Sequence, residues 1–242
     1  MSLLSFSHLD PIQGFAIFDD VLSFAEHALL WDELLARRWE FVHQKRWIQE
    51  FPLRDGSPLW SDTCLSAPVD PAKPCAPFGN TLDALVRAVE DKARACQNLL
   101  GQKGEAWNYF QLRPTLYPAG SALSWHRHNP DKTVGAYIYY AHTTWDPAWG
   151  GELLIAPPKT AALPFSDTPA TGFEHVCEKD SLLEEGFGTY IMPKPNRLVI
   201  LSTHAQHCIK RVEASAGDHV RLSVQGFFHK EDAAHAPHRG PV

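Results

Sequence analysis

The chain lacks most of the features that would set it apart from an ordinary globular enzyme or binding protein. No apolar run is long enough to span a bilayer, and the opening MSLLSFSHLDPIQGF carries no basic stretch, so neither a membrane span nor a signal peptide is expected. An excess of basic residues is missing too. Twenty-two Lys and Arg face 28 Asp and Glu, for a formal charge of −6 without long blocks, which argues against nucleic acid or an anionic membrane as the main partner. Cysteine is sparse: Cys64, Cys75, Cys96, Cys177 and Cys208 are odd in number and form no CxxC pair. That speaks against a disulfide framework and for a reducing, cytoplasmic setting. Internal repeats and low-complexity tracts are likewise absent. What is present is 242 residues with 44% hydrophobic content, enough to bury a sizeable core in one domain.

Texture changes once along that domain. After a short strand at 14–20, with Asp20 as the expected N-cap, Val21, Phe24, Ala25, Ala28, Trp31, Leu34 and Leu35 recur at helical spacing. Residues 51–79 are rich in proline and show no period, which predicts a long surface excursion within reach of a substrate. Leu82, Leu85, Val86, Val89, Ala93, Cys96 and Leu100 form the stripe of a second helix. From residue 107 onward the pattern is β: segments 107–117, 121–126, 134–142, 151–157, 197–202, 206–212 and 219–228 are short and bounded by turn residues. The fold class expected is α+β, mainly β, with an antiparallel core and helices packed on one face. Residues 1–106 then give helical support and substrate-side loops, 107–229 the core, 230–242 a C-terminal tail, and 158–196 an insertion or lid.

The informative stretch is SWHRHNPDKTVGAYIYYAHTTWDPAWGGELLIAP, residues 124–157. Side chains two apart on a strand share a face, so His126 and His128 can aim both rings into one cavity. THAQHCIKRV supplies His204 or His207 as a third donor, and imidazole suits iron, zinc, copper and nickel. The order of pieces is distinctive: His126-Arg127-His128, Tyr139-Tyr140-Ala141-His142, Trp145, Gly150-Gly151-Glu152-Leu153, His207, then Arg221-Leu222-Ser223. Over about 107–229 this resembles the prolyl-hydroxylase-like branch of the iron(II)/2-oxoglutarate-dependent oxygenases.

That resemblance implies a double-stranded β-helix, or jelly-roll, with Fe(II) and the cosubstrate 2-oxoglutarate at its open end. It assigns His126 and His207 as imidazole ligands, and Arg221 as the ion-pair partner of the far 2-oxoglutarate carboxylate, which a guanidinium fork grips bidentately. Tyr140 and Tyr117 would reach the same cosubstrate. One position departs: the family places aspartate where His128 stands. His128 as third ligand, Asp131 looping back, or a non-ligating position are the alternatives, with a three-histidine site favoured. On strand 107–117, the parity that turns Tyr117 inward also turns Thr115, Arg113 and Gln111 inward. Arg113 is therefore the expected partner of a substrate carboxylate, an internal acid being the rival. The function this implies is a dioxygenase hydroxylating a small polar molecule such as an amino acid or derivative. A three-histidine metal protein not using 2-oxoglutarate, or a non-catalytic binding protein on the same scaffold, are the alternatives. Trp39, Trp47 and Trp60 are candidates to wall the cavity.

Overall fold

Each segment folds so as to hide its apolar side. In the computed structural model, which describes residues 7–45, 51–128, 131, 133–157, 182–184 and 186–230, helix α1 (Phe24–Leu35) begins three residues later than Asp20 would have it. Ser23 is the cap: its Oγ accepts from the Glu26 N–H while the Glu26 carboxylate accepts from the Ser23 N–H. This reciprocal capping box satisfies two donors left open at the helix start. Asp20 instead turns the chain at a positive φ of 53°. The buried face also differs from the expected stripe: His27, Leu30 and Leu34 are buried, and Phe24 and Leu35 face solvent.

Helix α2 (Leu82–Ala95) buries Leu82, Leu85, Val86, Val89 and Ala93 as its periodicity predicts, and after a break at Cys96 the short α3 (Gln97–Leu100) extends the stripe to Leu100. Glu33 of α1 accepts from the backbone N–H and hydroxyl of Thr81 at the head of α2, which fixes the two helices to each other.

The described residues form thirteen strands: β1 (Ser7–Asp10), β2 (Phe15–Phe18), β3 (Glu40–Phe41), β4 (Leu59–Trp60), β5 (Cys64–Leu65), β6 (Tyr109–Tyr117), β7 (Leu123–His126), β8 (Gly135–Tyr140), β9 (Leu153–Ile155), β10 (Thr189–Ile191), β11 (Leu198–Ser202), β12 (His207–Ile209) and β13 (Arg221–His229). They make a large antiparallel sheet in the order β1-β2-β11-β8-β13-β6-β4-β3, with β5 also on β6, and a small sheet in the order β10-β9-β12-β7. The two sheets form the double-stranded β-helix. All seven strands expected after residue 107 are present, while β1 to β5 show that the first hundred residues build sheet as well as helix.

Two apolar clusters divide along the large sheet. On its outer face α1, α2, Tyr137, Tyr139, Leu198, Ile200 and Phe228 pack together. Between the sheets lie Phe15, Ile17, Tyr117, Ile138, Tyr140, Leu153, Val199 and Leu201. The period of two decides the allocation residue by residue. Trp107 precedes β6 and breaks its parity, packing against Phe110 and Phe228 on the helix side. Trp39 packs on that side too, Trp60 borders the interior cluster, and Trp47 lies outside the described residues. So does most of the expected lid: of 158–196, the described part is 182–184 and 186–196, which contributes β10. Cys64, Cys75, Cys96 and Cys208 are free thiols. Among the described residues no helix is long and apolar enough to cross a membrane.

Candidate metal centre

β7 and β12 are antiparallel neighbours whose register sets His126 directly opposite His207. Their ring centroids are 4.3 Å apart. Between this pair and the next, Ile209 with Leu123, β7 holds one residue more than β12, a bulge of the kind that re-aims side chains at a sheet edge. His128, past the end of β7, lies 4.9 Å from the ring of His207 and 5.4 Å from that of His126. One donor nitrogen from each of the three lies within 4.8 Å of the others. Among the described residues these three form the cluster able to hold a metal. Asp131 is exposed and stands outside it, and His204 is exposed as well.

The backbone sets the tautomers. His126 Nδ1 is 2.9 Å from the Ser124 carbonyl and His207 Nδ1 is 2.7 Å from that of Ala205. Carbonyls only accept, so both Nδ1 atoms carry the proton and both Nε2 lone pairs stay free for a metal. Burial pushes His126 down to about 4 and His207 down to about 3, the latter helped by its neighbour His126. It holds His128 well below the usual imidazole range, again with help from the other two rings. Three neutral donors facing one another suit a cation and little else. Phe227 packs edge-on against His128, 4.8 Å between centroids.

Farther along the interior lies Arg221, 0% exposed. Its Nε donates to the Gly151 carbonyl at 2.9 Å, yet Nη1 and Nη2 have no partner among the described residues. The guanidinium carbon sits 5.3 Å from the Tyr117 ring centre and 4.9 Å from that of Tyr140. The hydroxyls of both tyrosines, and that of Ser223, are also buried and unpartnered. Burial holds both phenols above their ordinary range, so they remain donors. Two unpaired nitrogens on one buried cation and three unpaired hydroxyls near it would be costly as a finished interior. Their arrangement fits an acceptor-rich anion such as a carboxylate, as the histidines fit a metal.

Sequence reasoning missed two members of this pocket. Ser223 is legible by parity, two residues from Arg221 on the same face of β13. Gly151 looked like a plain turn. It has a positive φ of 73°, and a Cβ there would lie 2.9 Å from Arg221 Cδ, so a side chain would displace the arginine that its carbonyl holds. Trp145 Nε1 donates to the Gly150 carbonyl at 3.0 Å, fixing the same turn.

The expected substrate residues share the inner face of β6 with Tyr117. Thr115 is buried and its hydroxyl reaches the Arg113 carbonyl at 3.4 Å. Gln111 and Arg113 are half-buried. Arg113 Nε donates to Thr63 Oγ1 at 2.9 Å, and its guanidinium lies over Trp60 at 4.9 Å. The excursion at 51–79 therefore does reach the interior.

A sequence model of the 2OG-Fe(II) oxygenase superfamily matches residues 112–229. No curated protein matches the chain by sequence. Among solved structures, a Pseudomonas putida prolyl-4-hydroxylase superposes with TM-score 0.60 at 15% identity, covering 90% of this chain and 93% of its own. A Trichoplax adhaerens prolyl hydroxylase, solved with a hypoxia inducible factor peptide, gives 0.59 at 15% identity, covering 92% and 86%. HygX from Streptomyces hygroscopicus, solved with nickel and 2-oxoglutarate, gives 0.55 at 15% identity, covering 95% and 91%. At such identities these likenesses establish the jelly-roll fold. The family match itself is confined to the core: residues 112–229 are similar to the 2OG-Fe(II) oxygenase superfamily, with His126-Arg127-His128 where a histidine–x–aspartate is usual.

Proposed function

We propose that the protein is a mononuclear non-haem Fe(II), 2-oxoglutarate-dependent dioxygenase that hydroxylates a small polar molecule, such as an amino acid or derivative. The observation that carries this reading is the unpaired guanidinium fork of Arg221, fully buried in the same interior as three clustered imidazoles. In this reading His126, His128 and His207 hold the iron through neutral nitrogens. Arg221 receives the far carboxylate of 2-oxoglutarate on Nη1 and Nη2, while its Nε stays tied to Gly151 and prevents the fork from turning. Tyr117, Tyr140 and Ser223 give hydroxyl donors to the same group. When bound, iron and 2-oxoglutarate supply an oxidative decarboxylation that couples dioxygen to hydroxylation of a C–H bond. Three imidazoles leave the metal one negative charge short of the usual ligand set, which weakens its hold on iron(II).

On the substrate side, Arg113 is the partner for a substrate carboxylate, with Gln111 and Thr115 beside it on β6. Thr63 and Trp60 orient its guanidinium, and Gln225 faces it across the sheet. Loss of the charge in Arg113→Ala is expected to weaken binding of candidate amino acids, and unchanged affinity ends this assignment.

Anaerobic addition of Fe(II) and 2-oxoglutarate tests the function directly. The weak visible charge-transfer band of the chelate is expected. Metal uptake without the band favours a three-histidine metal protein that does not use 2-oxoglutarate, and no uptake favours a binding protein.

A further inference from the structure

Asp55 belongs to none of the groups above. It closes a single 3-10 turn, Leu53–Asp55, in the proline-rich excursion, and it is 2% exposed. No cation pairs with it among the described residues. Its carboxylate is occupied by one residue, Ser124: Oδ2 accepts from the Ser124 N–H at 2.9 Å and Oδ1 accepts from the Ser124 hydroxyl at 2.7 Å. Ser124 lies on β7, and its carbonyl fixes the His126 ring through Nδ1. The carbonyl of Asp55 accepts from Ala122 N–H at 2.8 Å, so residue 55 holds both β7 and the residue that leads into it. Arg211 bonds the carbonyls of both Arg54 and Gly120, and Gly56 passes so close to Gly120 that a Cβ would lie 2.5 Å from its carbonyl oxygen. The negative charge is felt beyond Ser124: it helps raise the Cys208 thiol, beside His207, and the Tyr117 phenol.

Burying a carboxylate without a counterion is expensive unless something nearby rewards it. We propose that Asp55 is a positioning residue of the metal centre: it locks Ser124 so that His126 presents Nε2, and it supplies from behind β7 the negative charge that a three-histidine ligand set lacks. This rests on the reading of His126, His128 and His207 as ligands. A merely structural Asp55 would affect stability alone.

The two roles separate on titration of the metal-free protein with Co(II), read by its visible d–d bands, with thermal denaturation in parallel. Asp55→Asn keeps the shape and removes the charge. It is expected to bind cobalt at least about tenfold more weakly and to shift the d–d bands of the folded protein. Asp19→Asn, which removes a buried carboxylate paired elsewhere, serves as control and keeps both. Wild-type cobalt affinity and bands in folded Asp55→Asn overturn the proposal. Should that variant not fold, Ser124→Ala, which loses only the hydroxyl bond, decides: about threefold weaker cobalt binding supports the proposal, and unchanged binding overturns it. Failure of the wild-type protein to bind cobalt strikes instead at the metal reading and takes this inference with it.

Discussion

Tyr139 and Tyr140 are consecutive residues of β8, both 0% exposed, and their hydroxyls differ in surroundings. That of Tyr139, on the helix side, lies 2.7 Å from His27 Nδ1 and 2.9 Å from Asn196 Oδ1. His27 also reaches the His142 carbonyl, and Asn196 bonds both backbone groups of Leu22. Tyr140, turned between the sheets beside Arg221, has no partner at hydrogen-bonding geometry for its hydroxyl among the described residues. Two arginines repeat the contrast. Arg197 bonds Asp19 through Nε at 2.6 Å and Nη2 at 3.1 Å, and the Met192 carbonyl through Nη1 at 2.9 Å. Arg221 keeps two of its three nitrogens unpaired among the described residues. The polar groups around Tyr139 and Arg197 are therefore completed by the chain itself, and those around Tyr140 and Arg221 are left open among the described residues. A satisfied buried polar group lowers the energy of the fold; an unsatisfied one raises it until a ligand arrives.

The largest test of this contrast exchanges the unpaired guanidinium for an apolar chain of similar length. Arg221→Met is expected to leave the ligand-free protein as stable as before, or more stable by about 1–4 kcal/mol, because an uncompensated buried charge is gone. Affinity for 2-oxoglutarate, titrated anaerobically with Fe(II), should fall by about 2–5 kcal/mol, at least about 30-fold. A variant that loses stability yet keeps its cosubstrate would place Arg221 among the structural residues and erase the distinction.

How much of this was legible in the sequence follows the same division. Local periodicity carried the seven strands after residue 107 and the α2 stripe, since alternation and helical spacing are read directly from neighbours in the chain. Tyr117, Tyr140 and Arg221 came from the family resemblance, and parity added only that Thr115, Arg113 and Gln111 share the face of Tyr117. Closing His126 against His207 required the order of motifs, which a family resemblance supplied. What stayed hidden depends on contacts remote in sequence. Trp107 fits the alternation of β6 on paper, but it lies outside the strand and packs on Phe228. The importance of Gly151 is a matter of space beside Arg221, 70 residues away. Asp55 reaches Ser124 across 69 residues, from a segment whose prolines read only as loop. The start of α1 was within reach: Ser23 and Glu26 spell a capping box that outranks Asp20 as a start signal.

The two tyrosines sharpen the comparison at smaller scale. Tyr139→Phe strips His27 Nδ1 of its partner and is expected to cost about 1–3 kcal/mol of stability, with cosubstrate affinity in the folded protein unchanged. Tyr140→Phe removes a hydroxyl with no hydrogen-bond partner among the described residues, so its melting temperature should hold while 2-oxoglutarate binds about tenfold more weakly. Denaturation and titration of both variants separate the faces. Equal losses of stability would show that the two hydroxyls are equivalent after all.

The smallest effect concerns the paired arginine. Burial alone would raise the Asp19 carboxyl, but hydrogen bonds and charge from Arg197 and Lys194 outweigh it and hold the group below its ordinary 3.8. A carboxyl with a lower pKa folded than unfolded binds fewer protons in the native state. Its contribution is therefore complete above the unfolded value and fades as pH drops below about 4 towards the folded value. Asp19→Asn should cost about 1 kcal/mol at neutral pH, and the gap to the wild-type protein should narrow on acidification through that window. Cosubstrate affinity should not move, since Asp19 is paired with Arg197 and Lys194 and bonds none of the pocket residues in the contacts above. A stability gap that stays constant from neutral pH into the acid range would mean that the pair contributes through packing and neutral hydrogen bonds, and that the contrast between Arg197 and Arg221 is one of space rather than of charge.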